Sequence, residues 1–266
     1  MKKQTSLSVQ WPLIAMLLGA ILLAVFASSF AGSGSLLGKF KPRTPVACTD
    51  GKVGTLTFTR GGGQVRVYGV PNGLLNGKIP LSYSFWMKSG DKNADIISKI
   101  SVEGVGGRVG LQDGKLVFEL KGQSSALAAV SSAVVSDNNI HHIAVTYDGS
   151  LKATGVKMYI DAKEVSVTAK SDLSAEIQNE WGNLLLGGRK TQRFNGSIQE
   201  LRAYASVLNS GDITTLATGG SITSNLMGRW TFNDVDQREF KDEVFGLEAK
   251  MEGPVVRTCE KAAWQR

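Results

Sequence analysis

The chain has 266 residues, 42% hydrophobic and 20% charged, with 31 Gly and 6 Pro, which excludes a disordered or collagen-like polypeptide. The formal net charge is +7, but residues 1–47 hold five of the 30 basic residues and no acid, which leaves 25 Lys+Arg against 23 Asp+Glu in the remainder. The globular part therefore lacks a basic stripe, and we expect no nucleic-acid partner. With two Cys and two His, a four-cysteine zinc site is impossible, and a mixed site does not fit the spacings.

Residues 12–31 follow a short N-terminal tail, 1–11, and form an uncharged apolar run that is long enough, as a helix, to cross a membrane once. The alternative is a cleaved secretory signal, because Lys2 and Lys3 precede the run and small residues end it. Under both interpretations, the rest of the chain is exported. The basic residues that follow the run, Lys39 to Arg43, oppose export by the positive-inside count, and we give more weight to the domain that follows.

Residues 32–47 mix Gly, Ser and Pro without periodicity and predict a flexible stalk. Residues 48–266 then show about a dozen short runs of strand composition separated by turn residues. This pattern predicts an all-β domain of two packed antiparallel sheets. The predicted strands are 53–60, 64–70, 81–88, 95–102, 108–112, 115–121, 141–148, 156–161, 164–170, 183–188, 197–205 and 226–232, with one short helix at about 210–217 capped by Ser210.

An ordered series of motifs runs through the middle of this domain: LSYSFWMK, DIISK, LQDGKLVFEL, HHIAVTYDGS, VKMYIDAKEV, LLLGGR and FNGSIQELRAYASVLNSGDI. Over residues 81–217 this series resembles the laminin G-like branch of the concanavalin A-like lectin and glucanase superfamily. The resemblance implies a jelly-roll sandwich and a role in binding or adhesion rather than catalysis. Ile140 and Gln199 depart from the residues usual in that family, which puts inherited ligand contacts in doubt. Residues 226–249 look like the segment that opens the domain in many relatives, so we expect the C-terminus to return to the sheet where the chain begins.

His141 and His142 are the only histidines. Neighbouring strand residues point to opposite faces of a sheet, so the pair is not placed to chelate one ion. We therefore predict a structural role.

Asp91, Asn93 and Asp95 present oxygens at alternate positions, as a calcium loop begins. Ile96 and Val102 stand where an EF-hand needs Gly and Glu, which excludes that motif. A solvated loop is favoured, with Ca²⁺ the alternative. We count these three residues and Trp181, in a polar loop, as candidate ligand contacts, whereas Trp86 and Trp230 are predicted core residues.

Asp234, Asp236 and Glu239 approach the Glu-x-Asp-x-x-Glu strand of laminarinase-type glycoside hydrolases, where alternation places nucleophile and acid on one face. Asp234 is one methylene short, and the motif lies at a predicted turn after the recognisable core. We interpret the three acids as turn and surface residues. Asn195 begins an Asn-Gly-Ser glycosylation sequon, with a tight turn that needs its glycine as the favoured alternative.

Cys48 and Cys259 are the only cysteines, one before the first predicted strand and one after the last. A sandwich often brings its terminal strands together, and export places them in an oxidising compartment, so we predict a disulfide. Two unpaired thiols are the alternative if the domain is cytosolic.

The sequence thus favours a membrane-tethered, exported, non-catalytic module that binds a glycan or a protein, with no cofactor. A structural surface protein of a cell envelope or an enveloped virion is the first alternative, and a glycoside hydrolase the second. The sequence does not name the ligand or the oligomeric state.

Overall fold

The structure is a computed structural model and describes residues 47–59, 61–71, 75–178, 182–189, 191–235 and 237–265. Within them, two antiparallel sheets pack face to face, as the sequence predicted, and the arrangement is consistent with a jelly-roll sandwich. The predicted stalk, and the apolar run at 12–31, lie outside the part described. Among the described residues, no helix is long and apolar enough to span a membrane.

The first sheet has eight strands in the described residues, in the order β10-β9-β8-β3-β13-β1-β17, with β14 pairing to β13 beside this path. Its strands are β1 (Lys52–Phe58), β3 (Leu81–Ser89), β8 (Ile140–Tyr147), β9 (Val156–Ile160), β10 (Lys163–Val165), β13 (Gly196–Tyr204), β14 (Leu226–Trp230) and β17 (Val255–Lys261).

The second sheet has nine strands in the described residues, in the order β11-β7-β6-β5-β4-β12-β2-β16-β15. Its strands are β2 (Gln64–Val67), β4 (Ala94–Ile100), β5 (Gly106–Gln112), β6 (Lys115–Lys121), β7 (Ala126–Val134), β11 (Val167–Ser171), β12 (Leu184–Leu186), β15 (Glu239–Lys241) and β16 (Glu248–Glu252).

Each of the twelve predicted strands has a counterpart, but the strand predicted at 164–170 is two strands. Val165 ends β10 in the first sheet and Val167 begins β11 in the second, so the chain changes sheets at Ser166. The prediction missed β7, β15, β16 and β17. The β7 segment, ALAAVSSAV, consists mostly of Ala and Ser, which carry little strand signal.

The helix α1 spans Ser210–Ala217, as predicted, but Asn209 is its cap rather than Ser210. The Asn209 side chain accepts a hydrogen bond from the Asp212 backbone N–H at 3.0 Å, and the Asp212 carboxylate accepts one from the Asn209 N–H at 3.1 Å. This reciprocal capping box satisfies two backbone donors and moves the cap one residue toward the N-terminus.

Apolar residues on the inner faces of the two sheets form the main core, and it includes Trp230, which is 2% exposed. A second, smaller apolar cluster lies where α1 covers the outer face of the first sheet, and Ile213 and Leu216 belong to it. Ser82 and Ser84 are also buried on that outer face, where Ser82 donates a hydrogen bond to the Ser206 carbonyl and Ser84 contacts His142. A strand of the first sheet therefore hides side chains on both faces where the helix lies.

The C-terminus returns to the start of the domain, as the sequence predicted. Strand β17 pairs with β1 over seven residues, from Lys52 with Lys261 to Phe58 with Val255. Cys48 and Cys259 form the predicted disulfide, with their Cα atoms 5.4 Å apart. The C-terminal segment that pairs with β1 is thus 255–261, on the side away from β13, whereas the segment at 226–230 pairs with β13.

Candidate functional site

An open groove of about 720 Å³ lies at one edge of the sandwich. It lies where β15 and β17, the end strands of the two sheets, meet the loop that follows β14. We call it the edge groove and define it by Tyr68, Asp234, Glu239, Glu248, Lys250 and Arg257.

The edge groove combines aromatic and cationic groups. Tyr68 lines the groove and is 39% exposed. The Arg257 guanidinium lies 4.5 Å from the centroid of the Phe240 ring, a cation–π contact. Arg257 also donates a hydrogen bond to the backbone carbonyl of Gln237. These contacts hold the guanidinium in the wall of the groove.

Two of the acids that the sequence singled out line this groove. One carboxylate oxygen of Asp234, Oδ1, is buried without a hydrogen-bond partner. The Glu239 carboxylate pairs with the Lys250 ammonium at 3.0 Å, with both side chains more than half exposed; this hydrogen bond raises the pKa of Lys250. Asp236 lies outside the described residues. The groove therefore presents carboxylates and an ammonium toward one space.

The geometry differs from the strand of a retaining glycosidase. Asp234 makes only an isolated bridge to Ala47, whereas Glu239 begins β15. A single extended strand, which carries the paired acids of such an enzyme, does not join Asp234 and Glu239. Glu239 is therefore a strand residue, where we had expected a turn.

The side-chain oxygens of Asp91, Asn93 and Asp95 bind separate partners, and residues 94–95 already belong to β4. Asp91 accepts a hydrogen bond from the Asn195 backbone N–H at 2.6 Å, and Asn93 accepts one from the Asp113 N–H at 3.1 Å. Within the described part of the chain, no group of three or more His, Cys, Asp or Glu side chains is placed to hold a metal. The described residues around Asp91 and Asn93 therefore include no such cluster for Ca²⁺.

Asp95 lies in β4, fully buried, and binds two arginines. Its Oδ1 accepts from Arg108 Nη1 at 3.0 Å and its Oδ2 from Arg189 Nε at 2.8 Å. Arg108 also donates to Glu119 at 2.8 Å. Burial lowers the pKa of Arg108, but the hydrogen bonds and charges of Glu119 and Asp95 together outweigh this effect, and the net pKa is raised. Asp95 is thus the centre of a buried ion-pair cluster.

Trp181, the remaining candidate ligand contact, lies outside the described residues.

The two histidines occupy different environments, as strand alternation predicted. His142 is 1% exposed, and its Nε2 lies 2.9 Å from Ser84 Oγ. The histidine Nδ1 has no partner, so no carboxylate orients the ring as a Ser-His-Asp triad requires. His141 contacts Asp161 at 2.8 Å and Asp137 at 3.2 Å. The spacing of residues along the chain did not predict the contact of His142 with Ser84 or that of His141 with Asp161.

Burial lowers the pKa of His142 from 6.5 to about 4, and this shift predicts a pH dependence of stability. Between pH 6.5 and 4 the unfolded chain binds a proton at this side chain and the folded chain does not, so stability falls as the pH falls. We expect a loss of about 3 kcal/mol across this window. Chemical denaturation at several pH values measures it. His142→Gln should flatten the slope, His141→Gln should not, and equal slopes in His142→Gln and the parent would contradict the assignment.

Trp86 does not belong to the core. Trp86 is half-buried on the outer face of the first sheet, where it meets His142 edge-on at 5.2 Å and Trp264 at 6.5 Å between ring centroids. The prediction that Trp86 is a core residue is wrong, because strand alternation points its side chain to the face opposite that of Phe85.

Asn195, the predicted glycosylation site, is half-buried. Gly196 is the first residue of β13 and pairs with Ser89 of β3, so it lies in a strand and not in the tight turn that the sequence favoured. A Cβ there would overlap the Lys88 carbonyl oxygen, so this strand position requires glycine.

A laminin G family model, described as the concanavalin A-like lectin/glucanases superfamily, matches residues 59–214. The chain belongs to this superfamily. The match begins before residue 81, where the ordered motifs start, and ends within α1. None of the curated proteins matches the chain.

Solved structures share the superfamily fold. A candidate carbohydrate-binding protein from Bacteroides ovatus aligns with a TM-score of 0.58 and 14% identity over 79% of this chain and 61% of its own length. A heptameric, SAP-like pentraxin from Limulus polyphemus aligns with a TM-score of 0.54 and 12% identity over 80% and 97%. Domains LG4-5 of the mouse laminin alpha1 chain align with a TM-score of 0.45 and 16% identity over 63% and 45%. The chain thus covers less than two thirds of the Bacteroides protein.

The sequence identified Asp234 and Glu239 but missed most of the groove. Tyr68 follows β2, whereas Lys250 and Arg257 lie on β16 and β17, which the sequence did not predict. Alternation of apolar and polar residues in EAKME was an available signal for β16, whereas VVRTCEK of β17 does not alternate.

Proposed function

We propose that the protein is a non-catalytic binding module that recognises a glycan through the edge groove. The groove itself carries this proposal: it is about 720 Å³ in volume, within the range of ligand sites. Sugar rings combine hydroxyl groups with an apolar face. The exposed Tyr68 ring suits the apolar face, and the Asp234, Glu239 and Lys250 side chains suit the hydroxyls.

Two further observations support the proposal. The Bacteroides ovatus protein of the same fold is described as a candidate carbohydrate-binding protein. The acids of the groove lack the one-strand arrangement of a retaining glycosidase, which favours binding over hydrolysis. Asp234 Oδ1, a buried acceptor without a partner, is the group that a sugar hydroxyl would satisfy.

A glycan array probed with the full-length protein tests this function. We expect saturable binding to a defined set of glycans, weakened about tenfold or more in Tyr68→Ala and in Asp234→Asn, because each variant removes a contact of roughly 1.4 kcal/mol. Affinity should persist in Asp113→Asn, a matched change in the exposed hairpin turn between β5 and β6, where Asp113 has φ 51°, a conformation Asn tolerates.

Three outcomes would reject the proposal. Absence of glycan binding would favour a structural surface protein. Binding unchanged in both groove variants would place the site elsewhere. Release of reducing sugar that disappears in Glu239→Gln would show a glycoside hydrolase.

We propose further that the module is exported and tethered by residues 12–31, with the sandwich on the extracytoplasmic or virion surface. The uncharged run supports a membrane segment, and a disulfide is typical of an oxidising compartment. Mass spectrometry of the mature protein distinguishes the tether, which retains residues before Ala31, from a cleaved signal with a new terminus at Gly32.

A further inference from the structure

A second cavity, of about 300 Å³, is lined by strands of both sheets and by the turn between β15 and β16. We call it the apolar crevice. It is defined by the side chains of Leu81, Leu184, Ala203, Trp230 and Phe245. Lys99 also lines the crevice, but it has an interaction partner within the protein, so its charge does not call for a ligand ion.

The apolar crevice adjoins the edge groove. Three pairs of consecutive residues are divided between the two cavities, with the first of each pair in the groove and the second in the crevice: Tyr68 and Gly69, Thr231 and Trp230, and Glu248 and Leu247. Consecutive Cα atoms are only about 3.8 Å apart. The two cavities therefore have a common wall, which runs past the ends of β2 and β14 and the start of β16.

The walls of the crevice suit a hydrocarbon. Leu81 and Leu184 are buried, whereas Phe245 is 68% exposed, so an apolar group that entered the crevice would cover this ring. Close-packed interiors leave few spaces larger than a water molecule, and a cavity of about 300 Å³ is well above that size. A sugar would lose hydrogen bonds with water against such walls. The crevice thus offers an apolar space beside a polar groove.

Trp230 lies where the two cavities meet, since it lines the crevice and Thr231 lines the groove. The Trp230 side chain is 2% exposed, and its indole N–H has no hydrogen-bond partner. A buried donor without an acceptor is unfavourable, and a ligand oxygen would satisfy it. The oxygen that joins a sugar to a hydrocarbon chain is such an acceptor.

We propose that the ligand of the edge groove is a glycolipid, whose sugar binds in the groove and whose hydrocarbon chain lies in the apolar crevice between Leu81 and Leu184. This inference rests on the proposed glycan site and names its class of ligand. A free glycan would leave the crevice unfilled, and a free hydrocarbon would leave the polar groups of the groove without a partner.

Calorimetric titration of the full-length protein tests the proposal. The probes are methyl and octyl β-D-glucopyranoside, the matching galactopyranosides and 1-octanol, all below the concentration at which micelles form. Each methylene that leaves water strengthens binding about fourfold, so burial of about three should make an octyl glycoside roughly 50-fold tighter than its methyl counterpart. 1-Octanol lacks the sugar contacts and should bind about tenfold or more weakly than the octyl glycoside.

Two variants act on the chain alone. Ala203→Leu fills the crevice, and Phe245→Ala removes an exposed ring, so that the second variant should fold as the parent does. Each should lower the octyl-to-methyl affinity ratio about fivefold or more and leave methyl glycosides within about twofold of the parent. Tyr68→Ala should instead weaken both glycosides alike and preserve the ratio.

Val134→Ala is the matched control, because Val134 is also an exposed apolar residue, at 51%, and lines neither cavity. It should leave every affinity within about twofold of the parent. Equal affinities for methyl and octyl glycosides, both weakened by Tyr68→Ala, would overturn the glycolipid and leave the glycan function intact.

Other results would overturn more. Equal binding of 1-octanol and the octyl glycosides, unchanged in Tyr68→Ala, would reject the glycan function together with the glycolipid, as would absence of binding by every probe. A chain-length effect that persists in both Ala203→Leu and Phe245→Ala would place the hydrocarbon outside the crevice, for example on the apolar run at 12–31, and would also reject the proposal.

Discussion

Replacing Cys48 and Cys259 together by serine should lower the free energy of unfolding by up to about 5 kcal/mol. The bond closes a loop with a sequence separation of 211 residues, and in the chain-entropy model the restriction of the unfolded state grows with loop length. Strand β17 should still pair with β1 through their seven-residue register, so the variant is expected to fold at low temperature.

Denaturant midpoints with and without reductant measure this effect. Reductant should destabilise the parent by a similar amount and leave the double serine variant unchanged, which separates loss of the bond from any effect of the serines. A double variant within about 0.5 kcal/mol of the parent would show that the disulfide contributes little to stability.

Replacing Asp95 by alanine should cost about 3 kcal/mol, because it removes the buried carboxylate that Arg108 and Arg189 share and leaves the largely buried Arg108 with Glu119 alone. The Asp95 side chain is 0% exposed and that of Arg108 is 16% exposed. The matched control is Glu164→Gln, in a surface pair with Lys157 at 3.3 Å in which both side chains are at least half exposed. That pair should contribute less than about 1 kcal/mol.

Chemical denaturation of the single variants and of Asp95→Ala combined with Arg189→Met measures the coupling. We expect the double variant to lose less than the sum of the two single variants, since the second change removes one charge that the first left unpaired. A loss below about 1 kcal/mol in Asp95→Ala would mean that water replaces the carboxylate and that the cluster is not a stabilising element.

The ion-pair cluster also shows what sequence reasoning could not reach. Asp95 was grouped with Asp91 and Asn93 because their spacing resembles a calcium loop. Its partners Arg108 and Arg189 lie 13 and 94 residues away in the chain, and β12 and β5 flank β4 on either side. The order of strands in a sheet decides such neighbours, and period-two alternation carries no information about that order.

The sequence by itself determined the class of fold, twelve segments of strand composition, the helix at 210–217 and the identity of the cysteine pair. These follow from local patterns or from the presence of only two cysteines. Tertiary structure decided the rest. Alternation assigns residues to two faces but does not predict that α1 covers part of the outer face of the first sheet, or that on this face Ser84 is buried and Trp86 half-buried. The edge groove joins residues from β15, β16, β17 and two loops, and such sites depend on which strands end a sheet.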